Sequence, residues 1–167
     1  MPVIIAEIGC NHGGDINTAK EMIDVAATYC KVDVVKFQKR TIEVMSEEQL
    51  NKPYLGDNSF GKTYGEHRKF LEFSIDQHEE LKRYCEMKGV EYSCSVWDLP
   101  ATKCIDCLMP EYIKIPSALN TNFEIIEWLI NNFEGKIHIS MGMTTLEEKC
   151  DIANAASGKK DKFVFYH

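Results

Sequence analysis

The stretch Val3-Ile4-Ile5-Ala6-Glu7-Ile8-Gly9-Cys10-Asn11-His12-Gly13-Gly14-Asp15 decides the fold of this chain. Residues 3–6 form an apolar run rich in β-branched side chains, which is typical of a buried strand. The run leads directly into a carboxylate, an amide, an imidazole and paired glycines, which together indicate a tight polar loop. The stretch therefore predicts a strand that delivers Glu7, Asn11 and His12 to the edge of a functional site.

Polar side chains also end each later apolar run of the chain. They are groups that bind anions or metals, namely Lys36, Gln38, Ser95, Lys114, Ser117, Ser140 and His167. The carboxyl ends of parallel strands meet at one rim in α/β barrels and open α/β sheets, and these folds build their sites there. The sequence therefore predicts one site assembled from several strand ends.

The composition describes an acidic globular domain. The chain has 167 residues, 44% of them hydrophobic, and a formal net charge of −7. These values favour one domain with its own core and argue against a nucleic acid or an anionic membrane as partner, because no broad basic surface attracts either one. We expect a cytoplasmic location, since no apolar run has the length of a spanning helix and the first residues lack a basic leader.

The seven cysteines are spread over predicted strands and helices. An odd number outside loops favours reduced thiols over a disulfide framework. Cys104 and Cys107 have a spacing that elsewhere binds zinc or carries redox chemistry, but no second cysteine pair stands at zinc spacing. We expect residues 101–109 to form an amphipathic helix whose Cys104, Ile105 and Leu108 face the core, with the thiols acting as small apolar side chains.

Strand and helix patterns alternate along the chain. Apolar runs predict strands at residues 3–6, 32–37, 90–96, 112–115, 136–140 and 163–166, and helical spacing predicts helices at 16–30, 74–88, 101–109, from 121 onward and 144–157. Three pairs with capping-box spacing mark helix starts: Ser74 with Gln77, Thr121 with Glu124, and Thr144 with Glu147. Such alternation leaves two architectures, a (β/α) barrel or an open doubly wound sheet. No nucleotide fingerprint or phosphate loop is present.

The segment 38–73 has no sustained hydrophobic period. A long irregular segment inside a compact domain is usually functional, so a lid or binding segment is expected. In that interpretation its basic and aromatic side chains, Lys62, Tyr64, His67 and Arg68, reach over the rim. A solvated surface segment is the alternative.

Two lysines indicate the chemistry of the predicted site. Lys36 and Lys114 stand in otherwise apolar strands, where an ammonium group is costly unless it meets an anion. Hydroxyls and predicted helix N-termini near both lysines favour a small, multiply anionic ligand such as a phosphorylated carboxylate. A structural ion pair is the alternative for Lys36 alone.

Five sequence blocks, in order and spacing, resemble the N-terminal barrel of N-acetylneuraminate (sialic acid) synthases. The blocks are Ala6-Glu7-Ile8-Gly9-x-Asn11-His12-x-Gly14, Val35-Lys36-Phe37-Gln38, Lys114-Ile115-x-Ser117, Ser140-x-Gly142-Met143 and a last strand ending in His167. The resemblance implies an α/β fold, a parallel (β/α) barrel of the TIM type with about six of its eight units in this chain. It makes residues 1–167 a partial barrel domain without the antifreeze-like C-terminal domain that follows in the family.

The resemblance implies an enzyme that condenses phosphoenolpyruvate with N-acetylmannosamine or a related open-chain amino sugar, giving a nine-carbon 2-keto sugar acid and phosphate. Matched by position, the catalytic residues are Glu7, Lys36 and Lys114, and the substrate-binding residues are Asn11, Gln38, Ser95, Ser117 and Ser140. His167 is one of two histidine ligands of a divalent metal, typically Mn²⁺, with Mg²⁺ or Co²⁺ as alternatives. His12 is expected to hold its glycine loop rather than a metal.

The chain departs from the family pattern at three places. Trp97 ends the block after the third strand, where the family usually has a proline-fixed Ser-Thr-Pro-Phe turn. Met141 follows Ser140 where threonine is common, and Leu119 stands where many members have an acidic residue. The identity of the sugar therefore stays open.

Two other interpretations stay open. One is a truncated or split module without catalysis, which needs a partner chain for its last strands because the first and sixth strands would expose unpaired edges. A homodimer or a completing partner chain is expected for this reason. The other is a sibling phosphoenolpyruvate-dependent synthase that makes a different 3-deoxy keto acid.

Overall fold

The computed structural model describes residues 2–166, so Met1 and His167 lie outside the described part. The strands are β1 (Ile5–Gly9), β2 (Val34–Lys39), β3 (Glu91–Val96), β4 (Tyr112–Ile115), β5 (Lys136–Ser140) and β6 (Phe163–Tyr166). The α-helices are α1 (Ile16–Thr28), α2 (Glu47–Asn51), α3 (Tyr64–Leu71), α4 (Ile75–Met87), α5 (Leu99–Asp106), α6 (Phe123–Asn132) and α7 (Leu146–Ala156). Short 3₁₀ helices occur at Ile42–Val44, Ser117–Leu119 and Ser157–Lys162.

All six strands form one parallel sheet in chain order, β1-β2-β3-β4-β5-β6. Right-handed crossovers between neighbouring parallel strands place the helices α1, α4, α5, α6 and α7 on the same face of the sheet. Within residues 2–166 the sheet stays open, with β1 and β6 as its edges. The prediction of an incomplete parallel (β/α) barrel is confirmed. None of the described helices is long and apolar enough to cross a membrane.

The two faces of the sheet differ in chemistry because successive side chains of a strand point to opposite faces. The outer face packs apolar side chains against the helices, and Phe37, Ile113 and Ile139 are fully buried there. The inner face carries polar side chains at the alternate positions, such as Lys36 and Lys114. The hydrophobic core therefore lies between the sheet and the helices, which leaves the inner face free for chemistry.

The first two strands run about two residues further along the chain than predicted. β1 pairs with β2 from Ile5 opposite Val34 onward, whereas Val3 and Ile4 are mostly exposed. Glu7 therefore lies on a strand rather than in the loop. The ladder consequently fixes its backbone opposite Lys36.

Two of the three predicted capping pairs are wrong by one residue. Ser74 caps α4 as predicted. By contrast, α6 begins after Asn122 rather than Thr121, and α7 begins after Thr145 rather than Thr144. The hydroxyl of Thr144 donates a 2.7 Å hydrogen bond to a carbonyl oxygen of the preceding turn, so it is not available to cap the helix.

The predicted inward face of the helix at 101–109 is partly wrong. Ile105 is fully buried in α5, but both Cys104 and Cys107 are exposed. The buried small residues of this helix are Ala101 and Thr102, and the hydroxyl of Thr102 donates to the carbonyl oxygen of Asp98 at 2.8 Å. This back-bond satisfies a buried polar group, so a threonine can take the inward position.

The segment 38–73 is more regular than its sequence predicts. It contains α2, α3 and a 3₁₀ helix, and capping boxes at Ser46 and Thr63 start the two α-helices. An isolated bridge between Pro53 and Thr63 closes the loop between the helices. Each element has at most eight residues, which is too short for a hydrophobic period to be recognised.

We predict that Gly14→Ala destabilises the protein far more than Gly89→Ala. Both glycines have positive φ angles, +77° and +72°, so both substitutions incur the same backbone penalty of about 1 kcal/mol. A Cβ at Gly14 would lie 2.2 Å from the carbonyl oxygen of Phe70, whereas a Cβ at Gly89 meets nothing within 4 Å. Urea unfolding should show an additional loss of roughly 2 kcal/mol or more for Gly14→Ala. Equal losses would show that the glycine loop is not packed against α3.

Candidate active site

Lys36 lies at the centre of the polar inner face. Its ammonium group donates a 3.0 Å hydrogen bond to the hydroxyl of Ser95 and forms an ion pair with the carboxylate of Glu7. Lys36 is 4% exposed, while the side chain of Glu7 is 49% exposed. The sheet register explains this contact, because Glu7 and Lys36 are directly paired on β1 and β2. Ser95 follows one layer higher on β3.

Lys114 extends the cationic region along the next strand. It is paired in register with Ser95 on one side and with His138 on the other, so all three share the inner face. The Nζ atom of Lys114 lies 5.8 Å from the ring centroid of Tyr166. Among the residues that the structure describes, no carboxylate lies within ion-pair distance of Lys114. The site therefore has an uncompensated positive charge.

The electrostatic environment weakens the hold of both lysines on their protons. Burial, followed by the positive charge of Lys114, lowers the pKa of Lys36 to about 8. Burial also lowers the pKa of Lys114. The contact with Glu7 acts in the opposite direction by favouring the ammonium form of Lys36. Lys36 is thus mostly charged near pH 7, and an anion placed between the two lysines would stabilise the ammonium form of each.

Gln38 connects this centre to the first loop. It is paired in register with Ser95, and its Oε1 accepts a 3.3 Å hydrogen bond from Arg40. The thiol of Cys10 lies 3.9 Å from the same oxygen. Gln38 is therefore a neutral group between the lysine pair and the chain that follows β2.

Ser117 and Ser140 lie at neighbouring strand ends of the same rim. Ser140 is the last residue of β5, and Ser117 begins the 3₁₀ helix after β4. Asn120, which is buried, joins the two loops by donating to the carbonyl oxygens of Ser140 at 3.0 Å and Gly142 at 3.2 Å. The structure thus places both hydroxyl-bearing residues beside the strand that carries Lys114.

Asn11 and His12 organise the glycine loop. The exposed Asn11 donates its side-chain amide to the carbonyl oxygen of Ile8 at 2.9 Å. His12 accepts the backbone N–H of Gly14 and stacks on Phe73 with ring centroids 4.0 Å apart. Burial lowers the pKa of His12 to about 4, so its imidazole is neutral. These contacts agree with the loop-holding role expected for His12.

The predicted metal ligand, His167, lies outside the described residues. Within residues 2–166 no group of three or more His, Cys, Asp and Glu side chains is arranged to hold a metal ion. The described donors therefore do not form a metal site by themselves. The metal stays a prediction of the resemblance.

A buried cationic cluster beside the site was not predicted as a unit. Lys39, Arg40 and Arg68 surround the carboxylate of Glu72, which is 6% exposed. Arg68 also donates to the sulfur of Cys10 at 3.5 Å. The helix α3 therefore reaches the rim, as expected if the segment 38–73 is a lid or binding segment. The available signals were the basic pair that follows β2 and the i,i+4 spacing of Arg68 and Glu72.

A second unpredicted group lies on the inner face below the rim. His138 stacks on Tyr112 with ring centroids 3.8 Å apart, and its Nδ1 lies 2.7 Å from the hydroxyl of Tyr166. Burial, with the charges of Lys114 and Lys36, lowers the pKa of His138 to about 4. A histidine inside an apolar strand was the sequence signal for this group.

Comparison with known proteins settles the family. The sequence signature of the NeuB family matches residues 22–167. The chain belongs to the NeuB family. It is 37% identical over 163 residues to N-acetylneuraminate-9-phosphate synthase from Homo sapiens, covering 97% of this chain and 45% of that protein.

A second curated relative and a solved structure are also similar to this chain. The NeuB-family chain is 29% identical over 170 residues to N,N'-diacetyllegionaminic acid synthase from Campylobacter jejuni, covering 99% of this chain and 50% of that protein. It superposes on the sialic acid synthetase of Leptospira borgpetersenii in complex with citrate with a TM-score of 0.82 at 26% identity, covering 99% of this chain and 53% of that one. The chain thus spans about half the length of the curated relatives it matches. The resemblance inferred from the five blocks is confirmed.

We predict that this NeuB-family chain loses stability as the pH falls from 6.5 to 4. Burial lowers the pKa of His12 and His138 to about 4 and that of His78 to about 3, whereas unfolded histidines titrate near 6.5. The unfolded state then binds more protons in this window, so the free energy of unfolding decreases as the pH falls. Urea unfolding at several pH values measures this slope.

A pair of variants assigns part of the slope to His138. His138→Phe keeps a ring on Tyr112 but removes one titrating group. The slope of its unfolding free energy against pH should therefore correspond to the uptake of about one proton fewer on unfolding. Tyr166→Phe removes the same hydrogen bond yet keeps the imidazole, so it should retain the full slope. An identical slope in both variants would show that His138 titrates normally.

Proposed function

We propose that this chain forms the phosphoenolpyruvate-binding part of a synthase that condenses phosphoenolpyruvate with N-acetylmannosamine or a related open-chain amino sugar. The observation that carries the proposal is the arrangement of Lys36, Ser95 and Lys114 on the inner face. Family membership supports it, since the curated relatives are synthases of sialic and legionaminic acids. The products are a nine-carbon 2-keto sugar acid and phosphate.

The lysine pair fits the charge of phosphoenolpyruvate. This ligand carries a phosphate and a carboxylate, and two ammonium groups separated by a hydroxyl match such a pair of anions. Before the ligand binds, Glu7 compensates one of the two positive charges. An incoming anion would compete with Glu7 for Lys36 and would meet Lys114 directly. Ser117 and Ser140, at the neighbouring strand ends, complete the proposed binding set together with Gln38 and Asn11.

The proposed reaction joins two carbon atoms and cleaves one carbon–oxygen bond. The enol carbon of phosphoenolpyruvate attacks the aldehyde carbon of the sugar, and water adds to the carbon that bears the phosphate. The phosphate then leaves with its bridging oxygen and a keto group forms, while the two protons of the water pass to the former aldehyde oxygen and to the phosphate. Glu7 is suited to hold the attacking water and accept its proton, because its carboxylate is half-exposed beside Lys36.

The proposal also covers a metal, the domain, a partner chain and the location in the cell. A divalent metal, with His167 as a ligand, is expected from the family. The roles proposed for Glu7, Lys36 and Lys114 do not depend on this metal. The treatment of residues 1–167 as one partial barrel domain stays a prediction. A homodimer or a completing chain, and a cytoplasmic location, are proposed with it.

We predict that Lys36→Met and Lys114→Met each weaken phosphoenolpyruvate binding by roughly 10- to 100-fold, because each removes a charge-assisted hydrogen bond to a buried anion. Isothermal titration calorimetry on the 167-residue chain measures the affinity. The matched control is Lys103→Met, which removes an exposed lysine of α5 and should leave the affinity unchanged. The proposal fails if both site variants bind as tightly as this control.

We also predict that phosphoenolpyruvate affinity decreases as the pH rises through about 8. Only the protonated form of Lys36 attracts the anion, and its pKa of about 8 in the free protein lies well below the ordinary value. Above this pH, binding must take up a proton, so the affinity falls by up to tenfold per pH unit. The same titration on Lys36→Met should show no inflection near pH 8. A flat profile to pH 10 in the unsubstituted chain would contradict the assignment.

A further inference from the structure

Cys10 lies where the first loop meets the cationic cluster. It directly follows β1, and its sulfur accepts a hydrogen bond from the Nη2 of Arg68 at 3.5 Å. The same sulfur lies 3.9 Å from the Oε1 of Gln38, which also accepts a hydrogen bond from Arg40 at 3.3 Å. The thiol therefore contacts one guanidinium group directly and shares an acceptor with a second.

Cys10 differs from the other six cysteines in its surroundings. It is half-buried, whereas Cys85 and Cys94 are fully buried, and that burial raises the pKa of both of their thiols. The other four are exposed, namely Cys30, Cys104, Cys107 and Cys150. Within residues 2–166, Cys10 is the one cysteine whose sulfur accepts a hydrogen bond from an arginine. It thus combines access from solvent with a neighbouring positive charge.

Arg68 makes Cys10 suited to act as a nucleophile. The thiolate is the form of cysteine that attacks electrophiles, and an adjacent arginine stabilises negative charge on sulfur. Arg68 is itself held by an ion pair with Glu72 and is 6% exposed. Its positive charge therefore acts on the sulfur from a fixed position.

The surroundings of Cys10 lack an anion. Lys39, Arg40 and Arg68 face one carboxylate, Glu72, which leaves two positive charges. The Nε of Arg68 is buried and has no acceptor among the described residues, although buried N–H groups are nearly always paired in folded proteins. The missing partner is therefore a group with acceptor oxygens, and a carboxylate supplies two of them in the planar geometry that matches a guanidinium group.

Space for such a group is present beside Arg40. This arginine borders a cavity of about 340 Å³, together with Tyr64, Trp97 and Leu119. The guanidinium carbon of Arg40 lies 3.7 Å from the ring centroid of Trp97, so the arginine is held in the wall by a cation–π contact. The volume suits a small molecule rather than a protein segment. An anionic group bound to the arginines of the cationic cluster can therefore be accommodated at this part of the rim.

We propose that Cys10 is a modification site that forms a mixed disulfide with a small, carboxylate-bearing disulfide, and that Arg68 and Arg40 select this reagent by its charge. The thiolate sulfur of Cys10 attacks one sulfur of the reagent, the sulfur–sulfur bond of the reagent breaks, and a new one forms to Cys10. The released half leaves as a thiolate and takes up the proton lost by Cys10. The reagent is reduced as Cys10 is oxidised, so no further oxidant takes part.

The modification closes the site to phosphoenolpyruvate, and this consequence rests on the proposed function. Cys10 is a neighbour of Gln38, which is paired in register with Ser95. Ser95 in turn accepts the hydrogen bond of Lys36. Carboxylates attached at Cys10 compensate part of the positive charge that attracts the substrate, and the bulk of the attached group covers Gln38. A thiol reductant reverses the change.

Two disulfides of opposite charge test the selection. The reduced chain is treated with oxidised glutathione, which is anionic, or with cystamine, which is cationic, and mass spectrometry of peptides gives the rate at each cysteine. We expect Cys10 to react about tenfold or more faster with oxidised glutathione than with cystamine, because the cationic cluster attracts the anionic reagent. The four exposed cysteines are internal references and should show no such preference, since the chain carries a net charge of −7.

Substitution of Arg68 tests the source of the selection. Arg68→Gln should reduce the preference of Cys10 for oxidised glutathione to about threefold or less. Arg83→Gln makes the same change at an exposed position of α4 and should keep the full preference. Circular dichroism checks the fold of each variant. If Arg68→Gln does not fold, salt takes its place: at about 0.5 M, where the screening length is roughly 4 Å, the unsubstituted chain should lose most of the preference.

Two results would overturn the proposal. One is an equal or lower rate of Cys10 with oxidised glutathione than with cystamine. The other is a preference that persists in the folded Arg68→Gln variant or, where that variant does not fold, at high salt.

Calorimetry separates this inference from the proposed function. Phosphoenolpyruvate is titrated against the reduced chain, the glutathione-treated chain and a Cys10→Ser variant treated in the same way. We expect the treatment to weaken binding roughly tenfold or more in the unsubstituted chain, a reductant to restore it, and the treatment to change nothing in Cys10→Ser. Unchanged affinity in a chain fully modified at Cys10 overturns the closing of the site. If phosphoenolpyruvate does not bind the reduced chain, the proposed function fails, whereas the reaction rates at Cys10 still decide the modification on their own.

Discussion

The buried ammonium group of Lys36 is the constraint on which the rest of the site depends. An ammonium in a protein interior is costly unless anions and hydrogen-bond acceptors surround it. Glu7 and Ser95 supply both, from the two strands that flank β2. The contact works only if β1, β2 and β3 are parallel and in the observed register, because a shift of one residue would turn Lys36 toward the helices. The polar site and the strand register therefore depend on each other.

Packing of the helices on the outer face stabilises a fold whose inner face is polar. Phe37, Ile113 and Ile139 alternate with the polar residues of their strands and are fully buried under the helices. The interior of a typical barrel is filled with branched apolar side chains, whereas the inner face here carries lysines, a histidine and hydroxyls. Stability is thus concentrated on the outer face. The inner face can hold charges that would disrupt an ordinary core.

Much of the fold could be predicted from the sequence because its strands are nearly continuous apolar runs. β4, β5 and β6 begin and end where the runs do, and the period of two places Lys36 and Lys114 on one face. The helix caps were harder to predict, since Thr144 and Thr145 are equally good capping residues and only the 2.7 Å bond of Thr144 to the preceding turn decides between them. Cys104 was misplaced for a related reason: a threonine that satisfies its own hydroxyl can be buried instead.

The cationic cluster could not be predicted as a unit because its two halves, Lys39 with Arg40 and Arg68 with Glu72, are distant from each other in sequence. Arg68 meets Cys10 across 58 residues, and Arg40 stacks on Trp97 across a comparable span of chain. No local pattern records such contacts, and each residue alone is typical of a solvated surface. The short helices α2 and α3 bring them together, and these are the elements with too few residues to show a period.

Two cationic regions can coexist at one rim because each has its own carboxylate, Glu7 for the lysine pair and Glu72 for the cationic cluster. Without these carboxylates, the lysine pair and the cationic cluster of Lys39, Arg40 and Arg68 would repel each other across the partly buried rim. Gln38 lies between them, paired with Ser95 on one side and accepting from Arg40 on the other. A carboxylate at this position would compensate part of the positive charge of the rim, whereas an apolar residue would remove the acceptor that Gln38 provides for Arg40. A neutral amide orients Arg40 without cancelling its charge, so both regions remain cationic at the same rim.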